Sequence, residues 1–196
     1  MNEIRLLAPF SLLLALLFGG CSPAERESPP LQGAAIGGPF TLTSHQGRQV
    51  SDTDFAGRYR LIYFGYSYCP DICPVDLQQL GQGLRLFERK DPDQASRVQP
   101  IFISIDPERD TPAVLSGYVA AFHPRLVGLT GTPEQVRDVA KGFGVYFARQ
   151  GQPKDEYLMD HSRVAMLFGP KGEPIAIVPH DEGADAVAAA LARWVR

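Results

Sequence analysis

Six residues without a charge, Leu61-Ile-Tyr-Phe-Gly-Tyr66, run almost directly into Cys69-Pro-Asp-Ile-Cys73-Pro. An uninterrupted apolar run of this length reads as a central strand buried on both faces, which calls for a sheet covered on each side. From Pro74 the apolar residues Leu77, Leu80, Leu84 and Phe87 recur at three and four, with Gln78, Gln79, Gln82, Arg85 and Glu88 between them. That spacing is an amphipathic helix, with Pro74 early in it, where a missing N–H costs nothing. The cysteines therefore fall between the carboxyl end of a strand and the start of a helix, the edge of an open α/β sheet where sites form.

The rest of the chain extends this unit. Phe40–Leu42 and Gln49–Ser51 flank a polar turn containing Gly47 and predict a small hairpin. A second buried strand is expected over Val98–Ile105. Helices are expected from Pro112 and Pro133, each behind a capping threonine, Thr111 and Thr132. Short strands are expected at Arg125–Gly128 and Val145–Ala148, then a long polar loop over Arg149–Asp160. A strand at Ser162–Phe168 turns through Gly169–Gly172 into Pro174–Val178, and Ala184–Val195 closes the chain as a helix. The order predicts an α/β sandwich with a mixed sheet. A chain of 196 residues, 44% of them hydrophobic, has room for one such domain and an appendage.

The appendage is N-terminal. Leu6–Phe18 is apolar apart from Pro9 and Ser11 and is too short for the ~20 residues that cross a bilayer. It ends at Gly19-Gly20-Cys21, which resembles the cleavage and lipidation site of bacterial lipoproteins. Residues 1–21 are thus expected to be a lipoprotein-type signal or membrane tether with Cys21 lipidated. Residues 22–38, rich in Pro and Gly, are expected to be a flexible linker, and 39–196 the folded domain. This places the protein in a bacterial cell envelope, anchored to the membrane with the domain in the periplasm or extracytoplasmic space. A net charge of -3 with scattered basic residues argues against a nucleic-acid partner.

With Cys21 assigned, Cys69 and Cys73 remain. Thiolates at a helix start have lowered pKa values and are ready both to attack disulfides and to bind soft metals. Three residues separate the pair, whereas thioredoxin-type dithiol enzymes use two, so the spacing departs from the simplest redox motif. A structural disulfide, a redox pair and a metal site all remain open on these residues. Two sulfurs alone suit copper(I); copper(II) or zinc calls for nitrogen or oxygen as well. Among His45, His123, His161 and His180, His161 is the candidate third ligand, with Asp160 beside it able to hold a ring nitrogen or the loop. The other three histidines read as structural. Asp106 and Asp110 in the Ile105–Pro112 loop could bind a hard cation, but a capped, charge-paired loop is the preferred reading.

Three segments in order, Phe64-Gly-Tyr-Ser-Tyr-Cys69-Pro-Asp-Ile-Cys73-Pro-Val, Ile103-Ser-Ile-Asp-Pro-Glu-Arg-Asp110-Thr-Pro and Tyr157-Leu-Met-Asp160-His161-Ser, resemble the Sco/SenC family. These are copper-binding, thioredoxin-like proteins of cytochrome c oxidase assembly. The resemblance spans about Phe40 to Trp194 and implies a thioredoxin-like fold with an N-terminal hairpin and inserted helix. It implies one copper ion, Cu(I) or Cu(II), held by Cys69, Cys73 and His161, with Asp160 in a supporting role. The implied function is a copper chaperone for subunit II of cytochrome c oxidase, with periplasmic copper chaperones or thiol-disulfide reductants as further partners. A thiol-disulfide reductase that uses Cys69 and Cys73 as its redox pair, and a copper or redox sensor, are the alternatives. Ser67-Tyr68 stand where the family often has Thr-His, a departure that removes no ligand.

Overall fold

A computed structural model describes residues 27–151 and 157–196. The apolar stretch before Cys21, and Cys21 itself, lie outside the described residues. The hairpin is present as β1 (Thr41–Ser44) and β2 (Gln49–Ser51), turning at Gly47 with a positive φ of 75°. There follow β3 (Tyr59–Gly65), α1 (Ile72–Lys90), a one-turn α2 (Pro92–Ser96) and β4 (Val98–Ser104). Next come α3 (Pro112–Ala120), β5 (Val127–Thr130) and α4 (Pro133–Gly142). The chain ends with β6 (Phe147–Gln150), β7 (Leu158–His161), β8 (Ala165–Phe168), β9 (Pro174–Val178) and α5 (Ala184–Trp194).

Seven strands form one mixed sheet in the order β2-β1-β5-β4-β3-β8-β9. The parallel strands β3, β4 and β5 are its centre, and β1 and β8 join them antiparallel. Every residue of β3 and of β4 is buried, as an apolar run covered on two faces demands. Pro100, the one interruption in β4, stands one residue before the ladder with β5 begins at Ile101. The helix α1 packs on α5, α3 on β5 and α4 on β1. The thioredoxin-like, mixed-sheet class read from the sequence is the fold observed. The caps also form: Thr111 accepts from the N–H of Val114, and Thr132 and Gln135 close a capping box.

Three local expectations change. The polar stretch 149–160 is not simply a loop, because Arg149 and Gln150 pair with Met159 and Leu158 in a separate two-stranded ladder that continues to Phe147 opposite His161. Alternation explains the strand: Met159 is buried while Leu158 and Asp160 are exposed. The strand expected from Ser162 begins only at Ala165, since Ser162–Val164 leave the ladder. The stretch expected to be a flexible linker is described from residue 27, and its later part lies along the domain. Leu31 N–H donates to Ile175 of the edge strand β9 at 3.0 Å, Gly37 N–H donates to Gly142 at 2.8 Å, and Ile36 packs on the core.

Candidate metal centre

The strand β3 ends at Gly65, where a side chain would crowd the site: a Cβ there would stand 3.2 Å from Cys73 Sγ. The chain then loops through Cys69 and enters α1 at Ile72, so Cys73 lies in the first helical turn. The Asp71 side chain makes no cap bond. The sulfur of Cys69 takes that part, accepting the Cys73 N–H at 3.4 Å. Both cysteines are free; Cys69 is half-buried and Cys73 fully buried.

His161, 88 residues from Cys73, ends β7 with Nε2 at 3.3 Å from Cys73 Sγ. Its Nδ1 lies 3.1 Å from the carbonyl oxygen of Ser162. That oxygen can only accept, so Nδ1 carries a hydrogen toward it, and Nε2 is the ring atom that faces the sulfur. The rings of Tyr63 and Tyr66 meet the imidazole edge-on at 6.4 and 6.1 Å. Cys73 thus meets both other residues, through its N–H at the Cys69 sulfur and through its own sulfur at His161 Nε2.

These contacts divide the two thiols. The hydrogen bond from Cys73 holds Cys69 down to about 3; burial opposes this, and His161 and the backbone N–H groups of Cys73 and Asp71 reinforce it. Cys73 is pushed well above the ordinary thiol value, first by its hydrogen bond to the Cys69 sulfur and then by burial.

Asp110 braces the loop ahead of the cysteines. Fully buried, it accepts the Ser67 N–H at 3.0 Å, the Ser67 hydroxyl, and the Ser104 hydroxyl at 2.5 Å. Asp106 pairs with Arg109 and accepts the Tyr157 hydroxyl at 2.6 Å. The charge pair expected in this loop forms at Asp106, while Asp110 is held by hydroxyl and backbone donors. Arg109 also stacks 3.6 Å over the ring of Tyr157 and 4.8 Å from that of Tyr68, joining the loop to the segment that carries His161.

Asp160 turns away from the ring: it is exposed and accepts from Gln150 Nε2 at 2.5 Å. His45 and His123 each accept a backbone N–H, from Gly128 and Arg125, as structural histidines do. His180 is buried, with Nε2 3.3 Å from Asp76 Oδ2. Sequence reasoning passed over Asp76, Arg163 and Tyr63, which meet directly behind Cys73. One signal was present, because Asp76 occupies a position on the apolar stripe of α1 beside Cys73, Leu77 and Leu80.

The family model described as SCO1/SenC matches residues 28–196. The chain belongs to the SCO1/SenC family. Among curated SCO1/SenC relatives, the mitochondrial SCO1 homolog 1 of Arabidopsis thaliana is 37% identical over 176 residues, 89% of this chain and 52% of the relative. The mitochondrial human SCO1 homolog is 41% identical over 164 residues, 82% of this chain and 53% of the relative. The chain thus spans about half the length of the curated relatives it matches. Of solved SCO1/SenC structures, Bradyrhizobium japonicum ScoI with copper bound superposes with a TM-score of 0.74 at 38% identity, covering 82% of this chain and 99% of that one. The relatives correct the expected location. They are mitochondrial by name, which overturns the placement in a bacterial cell envelope. The apolar stretch at 6–18 carries hydrophobicity without an address, and among the described residues no helix is long and apolar enough to cross a membrane.

Proposed function

We propose that Cys69, Cys73 and His161 take up one copper ion as cargo and that the protein delivers it to subunit II of cytochrome c oxidase during assembly. The observation that carries this reading is the approach of His161 Nε2 to Cys73 Sγ at 3.3 Å, between residues 88 positions apart. Two sulfurs and an imidazole are the soft donor set that copper favours. Among the described residues no group of three or more His, Cys, Asp and Glu side chains is arranged so that it could hold a metal ion. Cys73 Sγ and His161 Nε2 stand 3.3 Å apart, and the opening needed between them is small. With bonds of about 2.3 Å to sulfur and 2.0 Å to nitrogen, a trigonal ion would separate the two atoms by about 3.7 Å.

Copper titration of the thiol-reduced protein tests this. One equivalent is expected to bind, Cys69→Ser or Cys73→Ser to abolish tight binding, and His161→Ala to weaken it. Asp160→Ala, which removes a side chain bonded only to Gln150 among these groups, is expected to cost far less than loss of either thiol. Copper-loaded protein mixed with a reduced subunit II fragment is expected to lose its metal to the fragment without net thiol oxidation. Failure of the wild-type protein to bind copper overturns the reading.

The division between the thiols also favours thiol-disulfide reduction. The half-buried Cys69 thiolate would attack a target disulfide, expelling one target thiolate and forming a mixed disulfide. Cys73, once deprotonated, would attack the Cys69 sulfur and expel the second target thiolate. The target gains two electrons and the protein ends with a Cys69–Cys73 disulfide. Reduction of an oxidised subunit II fragment by metal-free protein, followed by thiol counting on both partners, distinguishes this from copper transfer.

A further inference from the structure

We infer that Asp76 and Arg163 form a clamp that positions His161 over Cys73, an inference that rests on the copper reading above. Asp76 lies three residues after Cys73 on α1, and Arg163 two residues after His161. Asp76 is fully buried. Its Oδ2 accepts Arg163 Nε at 2.7 Å and the Tyr63 hydroxyl at 2.8 Å, and its Oδ1 accepts a second Arg163 nitrogen at 2.5 Å. His180 Nε2 flanks the same carboxylate at 3.3 Å.

A two-pronged guanidinium–carboxylate contact fixes direction as well as distance, which a single hydrogen bond or a lysine cannot do. Apart from the contact of His161 Nε2 with the Cys73 sulfur itself, the other bonds of this segment do not join it to α1. The Nδ1 bond of His161 reaches only Ser162 and so orients the ring without placing it. Ser162 N–H donates to Tyr146, and Tyr146 N–H to the Ser162 hydroxyl, which ties the segment to the strand beside it. Tyr66 holds β7 near its start, accepting the Met159 N–H at 3.2 Å. The clamp holds the chain just beyond its end. Cys73 and Asp76 ride on one rigid turn, so fixing Arg163 to Asp76 fixes the imidazole relative to the Cys73 sulfur. A buried carboxylate gains little net stability over an apolar residue of similar volume, which leaves geometry as the role of this one. Asp76 and Arg163 are positioning residues: they touch no cargo and act through His161.

The test is a double-mutant cycle on copper(I) affinity, measured by competition with a chromophoric chelator, in wild type, Arg163→Gln, His161→Ala and the double variant. Arg163 is 42% exposed in its side chain, so its replacement leaves a folded protein to measure. Arg163→Gln is expected to weaken copper by about tenfold or more, as loss of ligand-orienting partners does. It is expected to add nothing once His161 is alanine. Asp76→Asn, which keeps the shape and removes the charge, is expected to follow the same pattern. In the metal-free protein, the ring resonances of His161 are expected to shift in Arg163→Gln. Its urea midpoint is expected to fall as well, since Asp76 stays buried without its cation, so affinities are compared without denaturant, where each variant is folded. Wild-type affinity in Arg163→Gln, or an equal loss in both backgrounds, overturns the clamp. Copper binding indifferent to His161→Ala would instead overturn the copper reading, and unchanged His161 resonances in the metal-free variant would then overturn the clamp separately.

Discussion

The Cys69 sulfur accepts the Cys73 N–H at the start of α1 and keeps part of its surface in water, whereas Cys73 is covered completely. In the metal-free protein iodoacetamide is therefore expected to modify Cys69 and spare Cys73. The rate at Cys69 should stay nearly level from pH 8 to pH 5, since its pKa of about 3 leaves it ionised across that range. An ordinary thiol slows about tenfold per unit below its pKa near 8.5. Peptide mapping by mass spectrometry reads both outcomes. Asp76 sets a second dependence on pH. Burial acts to raise its pKa, but the bonds from Arg163 and Tyr63 prevail and hold it below the ordinary carboxylate value. The unfolded chain, with a carboxyl near pH 4, takes up the proton before the native one does, so this stabilisation is complete above about pH 5 and is lost as pH falls through the native value. Urea midpoints between pH 6 and pH 3 are expected to fall more steeply for wild type than for Asp76→Asn. The sequence carried the donors but not these supports. Cys69, Cys73 and His161 stand in recognisable segments, while the Asp76–Arg163 pair bridges 87 residues and shows in the sequence only as a carboxylate on an apolar stripe.

At the scale of elements, the close packing of α1 on α5 depends on a missing side chain. A Cβ on Gly83 would lie 2.5 Å from Val187 and 2.8 Å from the carbonyl oxygen of Ala184, so neither neighbour can yield without moving α5. Gly83→Ala is expected to destabilise by about 1–3 kcal/mol, the usual cost of overpacking. Gly117 of α3 faces open space, and Gly117→Ala is expected to stabilise by about 0.5–1 kcal/mol through the entropy of the unfolded chain. Chemical denaturation of the two variants measures both signs. The elements legible in the sequence were those with strong periodicity or caps: β3, β4, α1, α3, α4 and α5. The ladder of β6 with β7 was not, because four-residue strands leave too few alternations to separate from polar loop, and only the partner strand reveals Met159 as buried.

For the whole molecule, the domain begins earlier than composition suggests. Prolines and glycines marked 22–38 as tether, since few large apolar groups occur there, but backbone hydrogen bonds at Leu31 and Gly37 need no apolar side chain to form. A chain starting at Pro39 is expected to lose about 2 kcal/mol relative to one starting at Glu27, from two hydrogen bonds and the cover of Ile36. In a domain of this size that is a melting temperature about 4–8 °C lower, measurable by calorimetry. Leu31 has a second effect, on the rim of the sheet. β9 is only five residues long, begins at Pro174 and is followed by Pro179, and Leu31 already occupies the carbonyl of Ile175 between them. That rim is therefore a poor template for another copy to zip onto, despite the outward-facing Ile177.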